Sequence, residues 1–373
     1  MALHFTGMSP AGLRRVAERK KAGSRGFVLR MLARGIPVNI REIAKKAKVS
    51  VATVSRCLNQ PEKVSEETRN KILKIMREAK YMPSPSAQSL STGQTRMIGC
   101  MVPSLHNAFF AQLAEGCQRV LTQHGYRMLV YTTDHESDFW NHFNQRGVDG
   151  LVISGTDFTI SAKPQIDKIV IPYVLIENSE EMQSIAQSPK TVYIDDAQGV
   201  QTALQYLYAE GNRVFGVVAF AHDTFVTQRR SRAVREFFAT HPDCTFYEQS
   251  SDYTDLYQAQ EACRAFLTKE PRPTAIFTFN DMIAAGVVRH LLESGVHIPG
   301  EMEIIGFDDI PLASFYTPSL STVSAPNRRL GEKAAEMLLR SIEGKASVDS
   351  ILFPVDLKLR ESTKNSVPLE NII

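Results

Sequence analysis

At 373 residues, with 43% apolar and 22% charged side chains, the chain is long enough for two or three globular units. It holds no uninterrupted apolar stretch of roughly eighteen residues, and its first thirty residues are basic without a secretory apolar region, which excludes a membrane-spanning protein and points to the cytoplasm. The net charge of +3 conceals an asymmetry: residues 1–82 carry 19 Lys and Arg against 6 Asp and Glu, net +13, while residues 83–373 carry 24 against 34, net −10. A basic head on an acidic body suggests that the head meets a polyanion and the body does not. The five cysteines, Cys57, Cys100, Cys117, Cys244 and Cys263, never pair as CxxC or CxxH, so neither a disulfide framework nor structural zinc is expected.

Residues 1–37 hold eight basic side chains and only Glu18 as an acid, and read as a poorly ordered basic extension. Such a segment suits an arm that adds phosphate contacts, a transit-like composition arising by chance, or an upstream translation start with Met31 as the alternative. Residues 38–82 then carry helical punctuation. Asn39 is placed to cap a short helix with Ile40, Ile43, Ala44 and Ala47 inward, and Ser50 to cap the next. Ser65, with Glu66 and Glu67 in the first turn, opens a longer helix with Ile72, Leu73, Ile75, Met76 and Ala79 inward. The short connection between the first two helices suits a helix-turn-helix. On the middle helix, VATVSRCLN, three and four residue spacings place Val54, Cys57 and Leu58 in the core. Val51, Ala52, Ser55, Arg56 and Asn59 then face outward, with Arg56 able to pair bidentately with guanine O6 and N7. The hydroxyls of Ser50, Thr53 and Ser55 are short enough to hold phosphates. A protein-docking three-helix bundle is the alternative, and the net charge of +6 over residues 38–82 weighs against it.

VSVATVSRCLN followed by KVSEETRNKIL and a Tyr-x-Pro resembles the DNA-binding headpiece of the LacI/GalR family of bacterial transcription regulators. The resemblance implies that the middle helix enters the major groove and that Val51, Ala52 and Arg56 choose the bases. Residues 83–96, MPSPSAQSLSTGQT in their surroundings, read as a linker with about two turns of helix framed by Ser84, Pro85 and Gly93. AQSLSTGQT resembles the family's hinge helix, which implies that Ala87 and Leu90 meet the minor groove and that Leu90 wedges between base pairs.

From residue 97 to 373, short apolar runs (MIGCMVP, YRMLVYTT, DGLVIS, IPYVLIE, RVFGVVAF, AIFTFN, EIIGFDD) alternate with amphipathic stretches. That rhythm predicts an α/β body of doubly wound parallel sheets, with ligands bound beyond the carboxyl ends of the strands. Polar and aromatic groups follow several of the runs: NAFF, YIDD, QRRSRA, SSDY, TFND and GFDD. The body resembles the family's two-lobed, periplasmic-binding-protein-like effector domain. The resemblance implies effector contacts at Asn107, Phe109, Phe110, Asp195, Arg229, Tyr253, Asn280 and Asp308, with Asp281 and Asp309 available as helix caps. Alanine replaces the usual proline in NAFF, and Arg232 and Ala233 stand at the glycine and aromatic positions of the family's R-x-x-G-F. LSTVSAPNRRLGEKAAEMLLRSIEG resembles a late crossover, which implies interleaved lobes that close on ligand.

The expected function is a DNA-binding transcriptional regulator, a repressor that binds a pseudopalindromic operator as a homodimer and responds to a sugar, sugar acid or nucleoside effector. The tail after Ser362 is too short for a heptad bundle, so a dimer is expected rather than a tetramer. No enzyme activity, metal or cofactor is expected: GxGxxG, HExxH and GxSxG are absent, GLVISGT has a P-loop's glycine spacing without its lysine, and His106, His135, His222 and His290 lack metal-ligand spacing. A sugar-binding protein without DNA regulation is the alternative for the body alone.

Overall fold

The computed structural model describes residues 39–79, 81, 93–132, 147–154, 169–176, 191–252, 255–345 and 349–365. The basic extension, most of the linker with Ala87 and Leu90, and Tyr253 lie outside the described residues. The chain divides after Gly93 into two compact units.

The first unit contains α1 (Ile40–Ala47), α2 (Val51–Asn59) and α3 (Glu66–Glu78), with a single 3-10 turn at Pro61–Lys63. Asn39 Oδ1 accepts from Glu42 N at 3.1 Å and Ser50 Oγ from Thr53 N at 3.0 Å, so both expected caps are made. Between them α1 ends on Lys48 in the left-handed region (φ +56°), its backbone N–H returning to Lys45 O at 3.2 Å. That reversal lets α2 begin three residues later, as a helix-turn-helix requires. Ile43, Ala44, Ala47, Val54, Cys57, Ile72 and Met76 make the core, with Leu58, Ile75 and Ala79 packed at its edge. Two expectations are corrected. Leu73 is 38% exposed, because Ile72, Ile75, Met76 and Ala79 share one face and residue 73 sits about 100° away from it. Ser65 precedes α3, but its hydroxyl donates to Thr68 Oγ1 at 2.9 Å instead of accepting from a backbone N–H.

The second unit contains two six-stranded sheets. One holds β1 (Met97–Val102), β2 (Arg127–Thr132), β3 (Gly150–Ser154), β4 (Tyr173–Ile176), β5 (Thr191–Ile194) and β11 (Ile351–Phe353), in the order β11-β5-β4-β3-β1-β2. The other holds β6 (Val214–Phe220), β7 (Thr245–Ser251), β8 (Ala275–Thr278), β9 (Glu303–Asp308), β10 (Ser321–Ser324) and β12 (Asp356–Lys358), in the order β12-β10-β9-β8-β6-β7. All pairs are parallel except β10 with β12. Central strands are buried on both faces, as helix-covered parallel sheets require. The chain crosses between the sheets three times: from β5 into α5 (Asp196–Ala209), from β10 into α9 (Asn327–Ile342), and from β11 to β12. The interleaved lobes inferred from the late crossover are present. Helices α4 (Ala108–Gln123) and α9 belong to the first lobe; α5, α6 (Phe225–Thr240), α7 (Leu256–Leu267) and α8 (Asp281–Glu293) to the second.

The α4–α9 contact is closed by two glycines. A Cβ on Gly331 would stand 2.0 Å from the Leu113 carbonyl oxygen, and one on Gly116 2.1 Å from that of Arg328. Cys117 Sγ donates to Gly331 O at 3.1 Å, and Arg119–Glu332 and Arg328–Glu115 pair along the rim at 3.1 and 2.9 Å. A Gly331→Ala substitution forces backbone against backbone, so chemical denaturation of the variant is expected to show a loss of about 1–3 kcal/mol.

Candidate functional site

On the headpiece, α2 divides by face. Val54 and Cys57 are buried, and burial raises the Cys57 thiol above its ordinary range, with Arg69 opposing. Val51, Ala52, Arg56 and Asn59 are exposed, and Ser50, Thr53 and Ser55 lie beside them. Ser50 Oγ contacts Thr53 Oγ1 at 2.9 Å, and Asn59 Nδ2 donates to Ser55 Oγ at 3.4 Å. The exposed row therefore presents two small apolar side chains, one guanidinium and a set of short hydroxyls to solvent.

In the body, the polar groups at the carboxyl ends of strands from both lobes converge on one buried cluster. Its centre is Arg230, only 2% exposed, on α6. Its Nε donates to Asp196 Oδ1 at 2.7 Å, its Nη1 to the Phe279 carbonyl, and its Nη2 faces Asp308 Oδ1 at 3.9 Å. The guanidinium lies 3.6 Å over the Phe307 ring and 5.7 Å from that of Phe220, which replaces lost hydration by ring contact. Arg229, one residue earlier, donates through Nε (2.9 Å) and Nη2 (2.6 Å) to Asp196 Oδ2. Burial alone would push Asp196 up, yet the two guanidiniums outweigh it and hold its carboxyl below the ordinary carboxylate range.

Asp308 ends β9 with φ at +108°, a conformation unusual for a residue with a side chain. The Asn107 side chain faces its carboxyl across the lobes, and its carbonyl accepts from Asn327 Nδ2 at 2.8 Å. Asn327 Nδ2 also reaches Gln112 Oε1 at 2.9 Å, so α4 and α9 both begin against Asp308. Burial pushes the Asp308 carboxyl well up; Arg230 opposes this, while Asp281 and Asp196 add to it. Asp281 is fully buried, accepting from Thr322 Oγ1 at 2.5 Å and Ile310 N at 2.9 Å, and burial pushes it up to about 7. Asp309 takes Ser324 Oγ at 2.8 Å and Arg360 Nη2 at 2.6 Å.

Several expected positions shift. Arg230, not Arg229, reaches Asp308, and Asp196, unremarked in YIDD, is the carboxylate that binds both arginines. Asp195 instead caps α5, accepting from Gln198 N at 2.9 Å. Asn280 caps α8 through Ile283 N at 2.8 Å, whereas Asp281 and Asp309, read as caps, tie the β9–β10 connection. Phe109 and Phe110 are each 2% exposed and pack edge to face at 5.0 Å, so neither presents an open face for a sugar in this conformation. Asn107, which caps α4 by accepting from Phe109 N at 3.0 Å, and Asp308 do meet. Asn327 and Gln112 carried no sequence signal, since their role depends on where two crossings bring them.

A profile for bacterial regulatory proteins of the lacI family matches residues 39–84, and one for a periplasmic binding protein-like domain matches residues 204–363. The ribose operon repressor of Halalkalibacterium halodurans is 30% identical over 340 residues, covering 89% of this chain and 99% of that protein. The chain belongs to the LacI family. It is a DNA-binding transcriptional regulator whose body is a small-molecule effector domain. Another relative of this LacI-family protein, the transcriptional repressor CytR of Escherichia coli, is 30% identical over 335 residues, 87% of this chain and 96% of that one. The Lac repressor dimer bound to operator and the anti-inducer ONPF superposes with a TM-score of 0.79 at 25% identity, covering 88% of this chain and 99% of that chain. A LacI-type regulator of Alkaliphilus metalliredigens complexed with D-xylulofuranose superposes at 0.63 with 26% identity, over 72% of this chain and 99% of that chain. Among the described residues, no helix is long and apolar enough to cross a membrane.

The buried carboxyl of Asp281 yields a pH signature. Its ordinary value is 3.8 and its folded value about 7, so the stability it contributes is full below the former and lost as pH rises through the latter. An Asp281→Asn amide can accept from Ile310 N and donate to Thr322. Its melting temperature is expected to fall less steeply than that of the wild type between about pH 4 and 7, as measured by calorimetry.

Proposed function

We propose that this LacI-family regulator is a cytoplasmic, non-catalytic repressor that binds its operator as a homodimer and changes its hold on DNA when a sugar or nucleoside closes the two lobes. The observation that carries the reading is the joining, in one chain, of an outward Arg56 face on a capped helix-turn-helix to a body whose lobes meet at Asn107, Asp308 and Arg230. In the headpiece, Arg56 supplies the base-specific pair, Val51 and Ala52 touch thymine methyls, and Ser50, Thr53, Ser55 and Asn59 hold phosphates. Two methyl-bearing side chains discriminate little, so Ala87 and Leu90 in the linker add the bending term, with Leu90 wedged at the operator centre.

In the body, Asp308 and Asn107 hold effector hydroxyls and Arg230 holds Asp308 in place, with Arg229, Asp195, Asn280 and Tyr253 as further effector contacts and Phe109 and Phe110 as apolar support. The names of two relatives, one a ribose operon repressor and one a regulator complexed with D-xylulofuranose, support a pentose-like ligand. Exposed apolar side chains support self-association: Phe315 is 81% exposed, with Leu312 on the same 3-10 turn, and Leu105 precedes α4. The effector acts only through a difference in its affinity for the two lobe arrangements.

Fluorescence anisotropy with operator-like duplexes, with and without sugars and nucleosides, tests the reading. Salt-sensitive, sequence-selective binding that a ligand alters is the expected result, and its absence defeats the repressor assignment. Arg56→Ala is expected to cost about 1–3 kcal/mol against the preferred site and to flatten sequence preference. Leu90→Ser should lose specific operator binding while the body melts unchanged; tight specific binding by that variant would sink the hinge role.

A further inference from the structure

We propose that Asp196 sets the charge selectivity of the effector cleft, committing both neighbouring arginines so that the site takes neutral polyhydroxylated ligands and turns away their carboxylated or phosphorylated counterparts. This rests on the reading of the inter-lobe cleft as the effector site.

An arginine recognises a carboxylate or phosphate by presenting two parallel N–H groups from one edge of its guanidinium. For Arg229 the Nε–Nη2 edge is already engaged, both nitrogens donating to Asp196 Oδ2. For Arg230 all three nitrogens are directed within the protein: Nε to Asp196 Oδ1, Nη1 to the Phe279 carbonyl, and Nη2 towards Asp308. Its guanidinium also lies 3.6 Å over the Phe307 ring, with the Phe220 ring at 5.7 Å. The third arginine at these strand ends, Arg360, is held by Asp309 Oδ1 at 2.6 Å and the Leu320 carbonyl at 2.7 Å. The side chains of Asp196 and Arg230 are at most 2% exposed, so water cannot exchange these partners cheaply.

An anionic ligand would therefore meet two guanidiniums that already share the Asp196 carboxylate, beside the Asp308 carboxyl. It would have to share a low-dielectric space with that carboxyl or force a proton onto it. A hydroxyl meets no such conflict, because it can donate to Asp308 and accept from Asn107. The same contacts that hold the lobes together thus sort ligands by charge, and Asp196 is the residue whose loss would undo the sorting.

Isothermal titration of the full chain with matched probes tests this: D-ribose against D-ribonate and D-ribose 5-phosphate, adenosine and cytidine against their 5′-monophosphates. The wild type is expected to bind at least one neutral member, with its acidic partner weaker by roughly tenfold or more, a difference of about 1.4 kcal/mol. In Asp196→Asn, whose amide oxygen cannot satisfy both guanidiniums, that ratio should shrink roughly tenfold through a gain in the acidic ligand. An acidic partner that binds the wild type as tightly as the neutral one overturns the inference, as does an unchanged ratio in a folded Asp196→Asn. If circular dichroism shows that variant unfolded, Arg229→Gln decides, since removing one cation while keeping Asp196 should widen the ratio, and an unchanged or narrowed ratio overturns the inference. Silence from every probe, neutral and acidic, overturns the effector reading beneath it, a result distinct from a reversed ratio.

Discussion

The body turns on a buried carboxylate placed where the chain first crosses between lobes. Asp196 opens α5 one residue after Asp195, whose backbone N–H is bonded to the Phe353 carbonyl at 3.0 Å, so the first and last crossings lie side by side. A carboxylate without exposure is tolerable only when charge and hydrogen bonds replace its water. Three N–H groups from two consecutive arginines do so here. That requirement fixes the rotation of α6, seats the Arg230 guanidinium on Phe307, and brings Asp308 to within 3.9 Å of it.

Asp308 then ties the buried cluster to the first lobe. Its side chain faces Asn107, the cap of α4, and its carbonyl receives Asn327, the first residue of α9. Those two helices meet again where Gly116 and Gly331 allow backbone against backbone. A contact that close has little freedom to slide, so a change at Asp308 reaches α4 and α9 as a pair moving together. The headpiece needs no such coupling to fold: its small core of Ile43, Ala44, Ala47, Val54, Cys57, Ile72 and Met76 is complete within itself.

Local chemistry was the most legible part of the sequence. Asn39, Ser50 and the spacing of Val54 and Cys57 specify α1 and α2 because caps and helical periodicity act over three or four residues. Apolar runs revealed the central parallel strands for a similar reason, since a strand covered on both faces must be apolar throughout. β7, TFYEQSS, was not apparent: it lies at a sheet edge, is mostly half-buried or exposed, and has no apolar run to mark it. The short strands β10, β11 and β12 were equally silent, being defined by their partners more than by composition.

The amino-acid sequence by itself determined the division into a basic, capped helix-turn-helix and an acidic α/β body, because charge balance, caps and apolar periodicity are local properties, while the interleaving of the lobes followed from the family resemblance of the late crossover. Tertiary structure alone decided how each doublet divides its contacts in the buried cluster, Arg230 rather than Arg229 reaching Asp308 and Asp196 rather than Asp195 binding both arginines. Neighbouring residues on a helix point about 100° apart, so Arg229 and Arg230, or Asp195 and Asp196, are equivalent as text. They become different only when α5 and α6 dock and one carboxylate, shut off from water, must find its counter-charges.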